Sequence, residues 1–150
     1  MTPDPPNDPS TEEGADDFKE RMAQARHDLR NPLAHILGFS EILIEKAHNG
    51  GPAMLKQRVE AIYQTADRLV REINRCLDLE QGRMRQSEAA GLKDLLRLES
   101  AHIIAAAEDL ARQTGLRAHD PFSADLIIIA GAGRKLGELT ETALEFLIRS

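Results

Sequence analysis

The sequence predicts an all-α protein, a four-helix bundle made of two antiparallel helical hairpins. Helix-forming residues dominate, and aromatic residues make up only 3% of the chain. Apolar residues recur at alternating steps of three and four, which is the spacing of a buried seam along a helix. Short connections rich in glycine and proline separate these seams, and such connections place neighbouring helices antiparallel.

The chain divides into an acidic leader and two hairpins. Residues 1–16 are rich in proline and carboxylates and poor in large apolar side chains, so we expect a disordered tail. Residues 17–84 are predicted to form a first hairpin that turns at Asn49-Gly50-Gly51-Pro52. Residues 91–150 are predicted to form a second hairpin that packs on the first. Expected helices span about 17–49, 53–83, 91–114 and 123–148.

One tract in the last predicted helix has a strand-like composition. Leu126-Ile127-Ile128-Ile129 is rich in β-branched residues, which favour strands. The apolar residues that follow it keep the helical period, so we predict a helix here as well.

Charge and composition exclude several classes of protein. The net charge of −6 is concentrated in residues 1–20, and the rest of the chain is near neutral. It therefore offers no basic surface for nucleic acid or for a membrane. No apolar run reaches the ~18 residues of a membrane span, and the N-terminus has no apolar signal-peptide core. We expect a cytoplasmic protein.

The two halves of the chain resemble each other when they are aligned with a shift of 67 residues. Ala34-His35-Ile36 then meets Ala101-His102-Ile103, and the apolar period coincides without gaps in both hairpins. We interpret this as an internal repeat. His35 and His102 flank the seam and are expected to be partly buried.

A polar cluster surrounds His27 in the first helix. His27 lies midway between the seam positions Ala25 and Leu29, so its side chain is predicted to point to solvent. Asn31 lies one turn further along the same face. An exposed imidazole can attack a phosphoryl group, and the adjacent Asp28 can hold the ring tautomer and accept a proton. The amide one turn away can bond a phosphoryl oxygen or a water.

Pro32 lies deep within the same helical pattern. It removes the N–H that would bond the carbonyl of Asp28, so we expect it to kink the helix at this cluster. Arg30 either contacts phosphate or is an ordinary surface charge, and the spacing alone does not decide between the two.

The segment His27-Asp28-Leu29-Arg30-Asn31-Pro32-Leu33 resembles the H-box of histidine kinases. The similarity to this HisKA-like dimerisation and phosphoacceptor domain covers residues 18–84. It implies that His27 is the phosphoacceptor of a two-component system, that Asp28 assists transfer, and that Asn31 positions water to dephosphorylate a partner aspartate. It also makes Arg30, Phe39, Ile42 and the start of the second helix candidates for partner binding.

The second hairpin departs from this family pattern at the decisive positions. The 67-residue shift places Asp94 opposite His27, Leu98 opposite Asn31 and Glu99 opposite Pro32. In the family, two hairpins from two chains pair into a four-helix bundle. We therefore expect either a single-chain pseudo-dimer with one degenerate copy or a homodimer.

The residues after 80 offer no ATP-binding domain. Gly131-Ala132-Gly133 is too isolated a glycine signal for a phosphate-binding loop. No metal ligands or cofactors are expected in this chain, because the partner receiver would supply Mg²⁺. The expected partners are a response-regulator receiver domain and, as a phosphate donor, the ATP-binding domain of a sensor histidine kinase.

The function predicted from sequence is two-component signal transduction. The chain would exchange a phosphoryl group between His27 and a receiver aspartate. Two alternatives stay open: a non-catalytic four-helix module that regulates a signalling partner, and a fragment of a sensor histidine kinase without its ATP-binding domain.

Overall fold

The computed structural model describes residues 12–78, 86–116 and 120–149, and it confirms the predicted all-α four-helix bundle. A short terminal helix follows the four long ones. The elements are α1 (Glu12–His48), α2 (Ala53–Cys76), α3 (Gln86–Gly115), α4 (Ser123–Ala143) and α5 (Glu145–Arg149).

The four long helices form a closed ring. Helix α1 packs on α2 and α4, and α3 packs on α2 and α4, whereas the backbones of the described parts of the diagonal pairs stay further apart. Ion pairs between Lys46 and Asp125 and between Arg58 and Asp109 indicate the relative direction of neighbouring helices. Since early residues of one helix meet late residues of the other, neighbours run antiparallel.

The seams predicted from the apolar period meet in one core along the bundle axis. Their large side chains are almost fully removed from water, and each such Leu or Ile stabilises the fold by about 1.5–3 kcal/mol. The largest fully buried side chains include Met22, Leu29, Leu33, Ile36, Leu43, Leu55, Leu69, Ile73, Leu77, Leu96, Ile103 and Leu110.

The internal repeat is visible in the structure. From Met22 to Leu77, every buried residue except Pro32 falls on another buried residue at the 67-residue shift. The helix ends coincide as well. The last residues of α1 and α2, His48 and Cys76, correspond to Gly115 and Ala143, the last residues of α3 and α4. The two hairpins therefore bury equivalent faces, and the bundle has an approximate two-fold relation between its halves.

The first helix begins earlier than predicted. It starts at Glu12, so the expected disordered tail of residues 1–16 is wrong for residues 12–16, and residues 1–11 lie outside the described residues. No proline follows Pro9 until Pro32, and carboxylates are favoured in the first turn of a helix by its dipole.

The other helix ends also differ from expectation. Helix α2 stops at Cys76 instead of near residue 83, because Leu77 leaves helical geometry while its N–H still donates to the carbonyl of Ile73. Residues 79–85 lie outside the described residues. Helix α3 begins at Gln86 rather than 91, and α4 breaks at Leu144, the repeat equivalent of Leu77.

Two further predictions concern the β-branched tract of the last long helix and the two histidines that flank the seam. The β-branched tract at residues 126–129 is helical, as predicted. His35 and His102 are exposed, so the expected partial burial is wrong. No helix in the described part of the chain combines the length and apolarity needed to cross a bilayer.

Two glycines of α4 provide a test of the packing. A Cβ at Gly131 would meet nothing within 4 Å, whereas one at Gly133 would lie 2.9 Å from Cγ1 of Ile104 on α3. We expect Gly131→Ala to raise the free energy of unfolding by up to ~1 kcal/mol through helix propensity. Gly133→Ala should lose that gain and be less stable than Gly131→Ala by about 1–3 kcal/mol, because the Ile104 side chain or the two helices must shift to admit the methyl group.

Urea denaturation of the two variants measures this difference. Equal stabilisation by both would contradict the close approach of α3 and α4 at Gly133.

Candidate functional site

His27 lies on the face of α1 that points away from the core. Its neighbours on the seam, Ala25 and Leu29, are buried, while the imidazole is exposed, as the seam predicts. His27 has no side-chain hydrogen-bond or ion-pair partner in the described part of the chain. The ring nitrogens are therefore open to an incoming group.

Asp28 is half-buried and is held by its own helix. The side-chain amide of Gln24, one turn earlier, donates a hydrogen bond of 2.7 Å to Oδ1 of Asp28. The carboxylate is thus positioned beside His27 without contacting the ring. Sequence reasoning did not single out Gln24, although its spacing of four residues from Asp28 is the usual one for such a pair.

Arg30 and Asn31 are exposed on the same outer side of α1 as His27. Their spacings of three and four residues place them about one turn along the helix. An amide and a guanidinium therefore lie within one turn of the imidazole.

Pro32 is buried, and α1 continues through it from Glu12 to His48. The carbonyl of Asp28 consequently lacks the N–H donor that position 32 would supply in a regular helix. In the second hairpin, Glu99 takes this position and restores the donor. The expected kink at Pro32 stays a prediction.

Phe39 and Ile42 lie seven and four residues before Lys46, and this spacing places them on the same side of α1 as Lys46. Phe39 is half-buried, and Ile42 is 44% exposed. The repeat equivalent of Ile42 is Asp109, which pairs with Arg58 across the α2/α3 boundary. The same relation directs Ile42 towards α4, where Lys46, one turn later, pairs with Asp125 at 2.7 Å. This surface is therefore separate from the start of α2, which was also a candidate.

The basic residues without ion-pair partners are concentrated around His27. In the described part of the chain, all but four Lys and Arg side chains have a carboxylate partner. The four exceptions are Lys19, Arg26, Arg30 and Lys135. Three of them lie on α1 within about 12 Å of His27 along the helix axis.

The equivalent face of the second hairpin is internally neutralised. Arg97 and Lys93 take the positions of Arg30 and Arg26, and they pair with Glu141 and Glu145 at 2.9 Å each. These hydrogen bonds hold the pKa of both Glu141 and Glu145 below the usual range.

The other positions of this face are altered as well. Asp94, in the place of His27, lies 3.8 Å from Arg97, and its side chain is 78% exposed. Leu98, in the place of Asn31, is 54% exposed. The face of α3 that corresponds to the His27 face thus keeps the scaffold, has no imidazole or amide at these positions, and has its cations Lys93 and Arg97 paired.

No cluster of three or more metal-ligating side chains occurs within the described ranges. The expectation that a partner supplies Mg²⁺ stays a prediction. Between α1 and α2, a shallow groove is lined by Glu41, His48, Lys56 and Tyr63, and the nearby carboxylate of Glu41 raises the pKa of Tyr63. This groove lies towards the interhelical turn, away from His27.

His27 and Asn31 are thus exposed on a bundle helix and Pro32 is buried, as the resemblance to a phosphoacceptor helix implies. Residues 19–84 match the family model described as the His Kinase A (phospho-acceptor) domain, which confirms the resemblance seen in the sequence. The match covers the first hairpin, and the second hairpin lies outside it. No curated protein and no solved structure gives a match to the chain.

Pro32 should lower the stability of α1. We expect Pro32→Ala to raise the free energy of unfolding by about 1–2 kcal/mol, because alanine restores the donor to the Asp28 carbonyl. The reciprocal change in the second hairpin, Glu99→Pro, should lower it by ~3 kcal/mol or more. Urea denaturation of both variants checks this, and a Pro32→Ala protein that is less stable than the wild type would contradict it.

Proposed function

We propose that this protein exchanges a phosphoryl group between His27 and the aspartate of a response-regulator receiver domain. The observation that carries the proposal is the exposed imidazole of His27, which has no partner among the described residues and lies within the matched phosphoacceptor segment. The match itself supports the coarser conclusion, a two-component phosphoacceptor module.

The chemistry requires few groups from this chain. A ring nitrogen of His27 attacks the phosphorus of the aspartyl phosphate, so a P–N bond forms while the P–O bond to the aspartate breaks. The carboxylate of the receiver leaves, and the imidazole proton passes to Asp28 or to solvent. Asp28 can accept the proton once its carboxylate has given up the hydrogen bond donated by Gln24. The reverse sequence phosphorylates the receiver.

The remaining site residues have supporting roles in this proposal. Asn31, one turn from His27, orients a water that hydrolyses the phosphorylated receiver. Arg30 has no carboxylate partner in the described residues, so its charge is available to a phosphoryl oxygen or to an acidic partner. Mg²⁺ comes with the receiver, and a sensor-kinase ATP-binding domain is a further donor.

The two hairpins of one chain take the place of the two chains of a dimeric acceptor domain. The closed ring of helices and the shared pattern of burial support this single-chain arrangement. Because Asp94 replaces His27 in the second hairpin, each molecule has one acceptor.

The most direct test labels the histidine chemically. Phosphoramidate, a small donor that phosphorylates imidazoles, should place acid-labile and base-stable phosphate on the wild type and none on His27→Ala. His35→Ala is the matched control, since His35 is also exposed on α1 but lacks the surrounding cluster. Adding an unphosphorylated receiver domain with Mg²⁺ should then remove the label within minutes.

Each result has a defined meaning. Label that persists in His27→Ala and disappears in His35→Ala would contradict the assignment of His27. A wild type that is neither labelled nor able to exchange phosphate with any receiver, yet binds one, would favour the non-catalytic interaction module.

The proposal also fixes the stoichiometry. We expect one phosphate per chain at saturation and a complex of one receiver with one chain, because the face around Asp94 lacks the acceptor and its cations are paired. Intact-protein mass spectrometry and calorimetric titration measure the two ratios. Two receivers bound per chain would contradict a single active face.

A further inference from the structure

We propose that Lys135, which belongs to the second hairpin, is a docking residue of the His27 face and contacts the receiver domain bound there. The inference rests on the proposed function and deepens it. It gives the degenerate hairpin a direct part in partner recognition, in addition to closing the core.

The repeat places Lys135 beside Pro32. In the 67-residue shift, Arg68 of α2 corresponds to Lys135 of α4, and Glu99 of α3 corresponds to Pro32 of α1. Arg68 reaches Glu99 across the α2/α3 boundary at 3.1 Å. Helices α4 and α1 also pack on each other, so the two-fold relation places Lys135 at the level of Pro32 on α1.

Contacts of α1 with α4 and with the following α5 lead independently to the same level. Near the start of α4, Lys46 pairs with Asp125. Beyond its end, the ring of Phe146 on α5 meets the ring of Phe18 at 5.8 Å. Counting residues along the antiparallel helices from these two contacts places Lys135 opposite residues 29–36 of α1. That stretch contains Asn31, and its first residue lies less than one helical turn after His27.

Lys135 is available to a partner. It is exposed and has no ion-pair or hydrogen-bond partner in the described part of the chain. The reason is the replacement at the equivalent positions: Arg68 has Glu99 as its partner, whereas Lys135 has Pro32 in that place. The next residue, Arg134, faces α3 instead and pairs with Glu108 at 2.7 Å.

The position of Lys135 favours docking over a contact with the transferred group. His27 and Pro32 differ by five residues, a rise of about 7.5 Å along α1. Lys135 is on the neighbouring helix at that level, so it lies at the rim of the surface centred on His27. A receiver presents carboxylates and a phosphoryl group, and a rim cation attracts such a partner and orients it.

The test compares Lys135→Ala with Arg134→Ala, which removes the same charge from the adjacent residue on the other side of α4. Phosphoryl transfer to His27 from a receiver domain phosphorylated with acetyl phosphate is followed at several salt concentrations. We expect Lys135→Ala to raise KM about fivefold at low salt with little change in kcat, and to weaken the salt dependence. Lys135→Arg should restore most of the loss, and Arg134→Ala should resemble the wild type.

Labelling by phosphoramidate separates this inference from the proposed function. Lys135→Ala should accept phosphate on His27 as readily as the wild type, because the small donor needs no docking surface. An unchanged KM in Lys135→Ala, or equal losses in Lys135→Ala and Arg134→Ala, would overturn the docking role. A fall in kcat at constant KM would also overturn it, since Lys135 would then act on the phosphoryl group. Absence of label on the wild type would instead refute the proposed function.

Discussion

Burial of two equivalent apolar seams against each other is the constraint on which this structure depends. A single helical hairpin would leave one side of its seam in water, and each exposed Leu or Ile would forgo about 1.5–3 kcal/mol. The second hairpin covers that side with residues at equivalent positions of the repeat. They run from Ala89, the equivalent of Met22, to Leu144, the equivalent of Leu77. Because the core comes from one chain, the bundle closes without a second molecule.

This constraint acts on the inner face and leaves the outer face free to change. Ser40 and Leu33 correspond to Ala107 and Ser100, so even the core tolerates exchange provided that the position stays buried. On the outer face, the two hairpins carry different chemical groups. The first hairpin keeps His27 and unpaired cations, and the second pairs Arg97 with Glu141, an interaction that lowers the pKa of Glu141 and raises that of Arg97.

The same division explains what could be predicted from the sequence. The apolar period identified the helices, and the seam positions Ala25 and Leu29 were sufficient to place His27 in solvent. The end of α2 at Cys76 was missed, because apolar residues continue beyond it and only the tertiary structure shows the turn at Leu77. His35 was misplaced because it flanks the seam, where a shift of one position decides burial.

Lys135 could not be recognised from the sequence alone, since its importance depends on the order of helices around the ring. Only when α4 is known to border α1 does the shift from Arg68 and Glu99 to Lys135 and Pro32 have a spatial meaning. The direction of Phe39 and Ile42 towards α4 has the same origin. The outer surface of a bundle is thus less predictable than its core, because it combines residues from helices that are distant in sequence.

The mass of the full chain in solution tests the central claim most directly. Sedimentation equilibrium over a wide range of concentrations should give the mass of one chain, 16.6 kDa, because both halves of the core are already present. A stable particle of twice that mass, with hairpins paired between chains, would contradict the single-chain bundle.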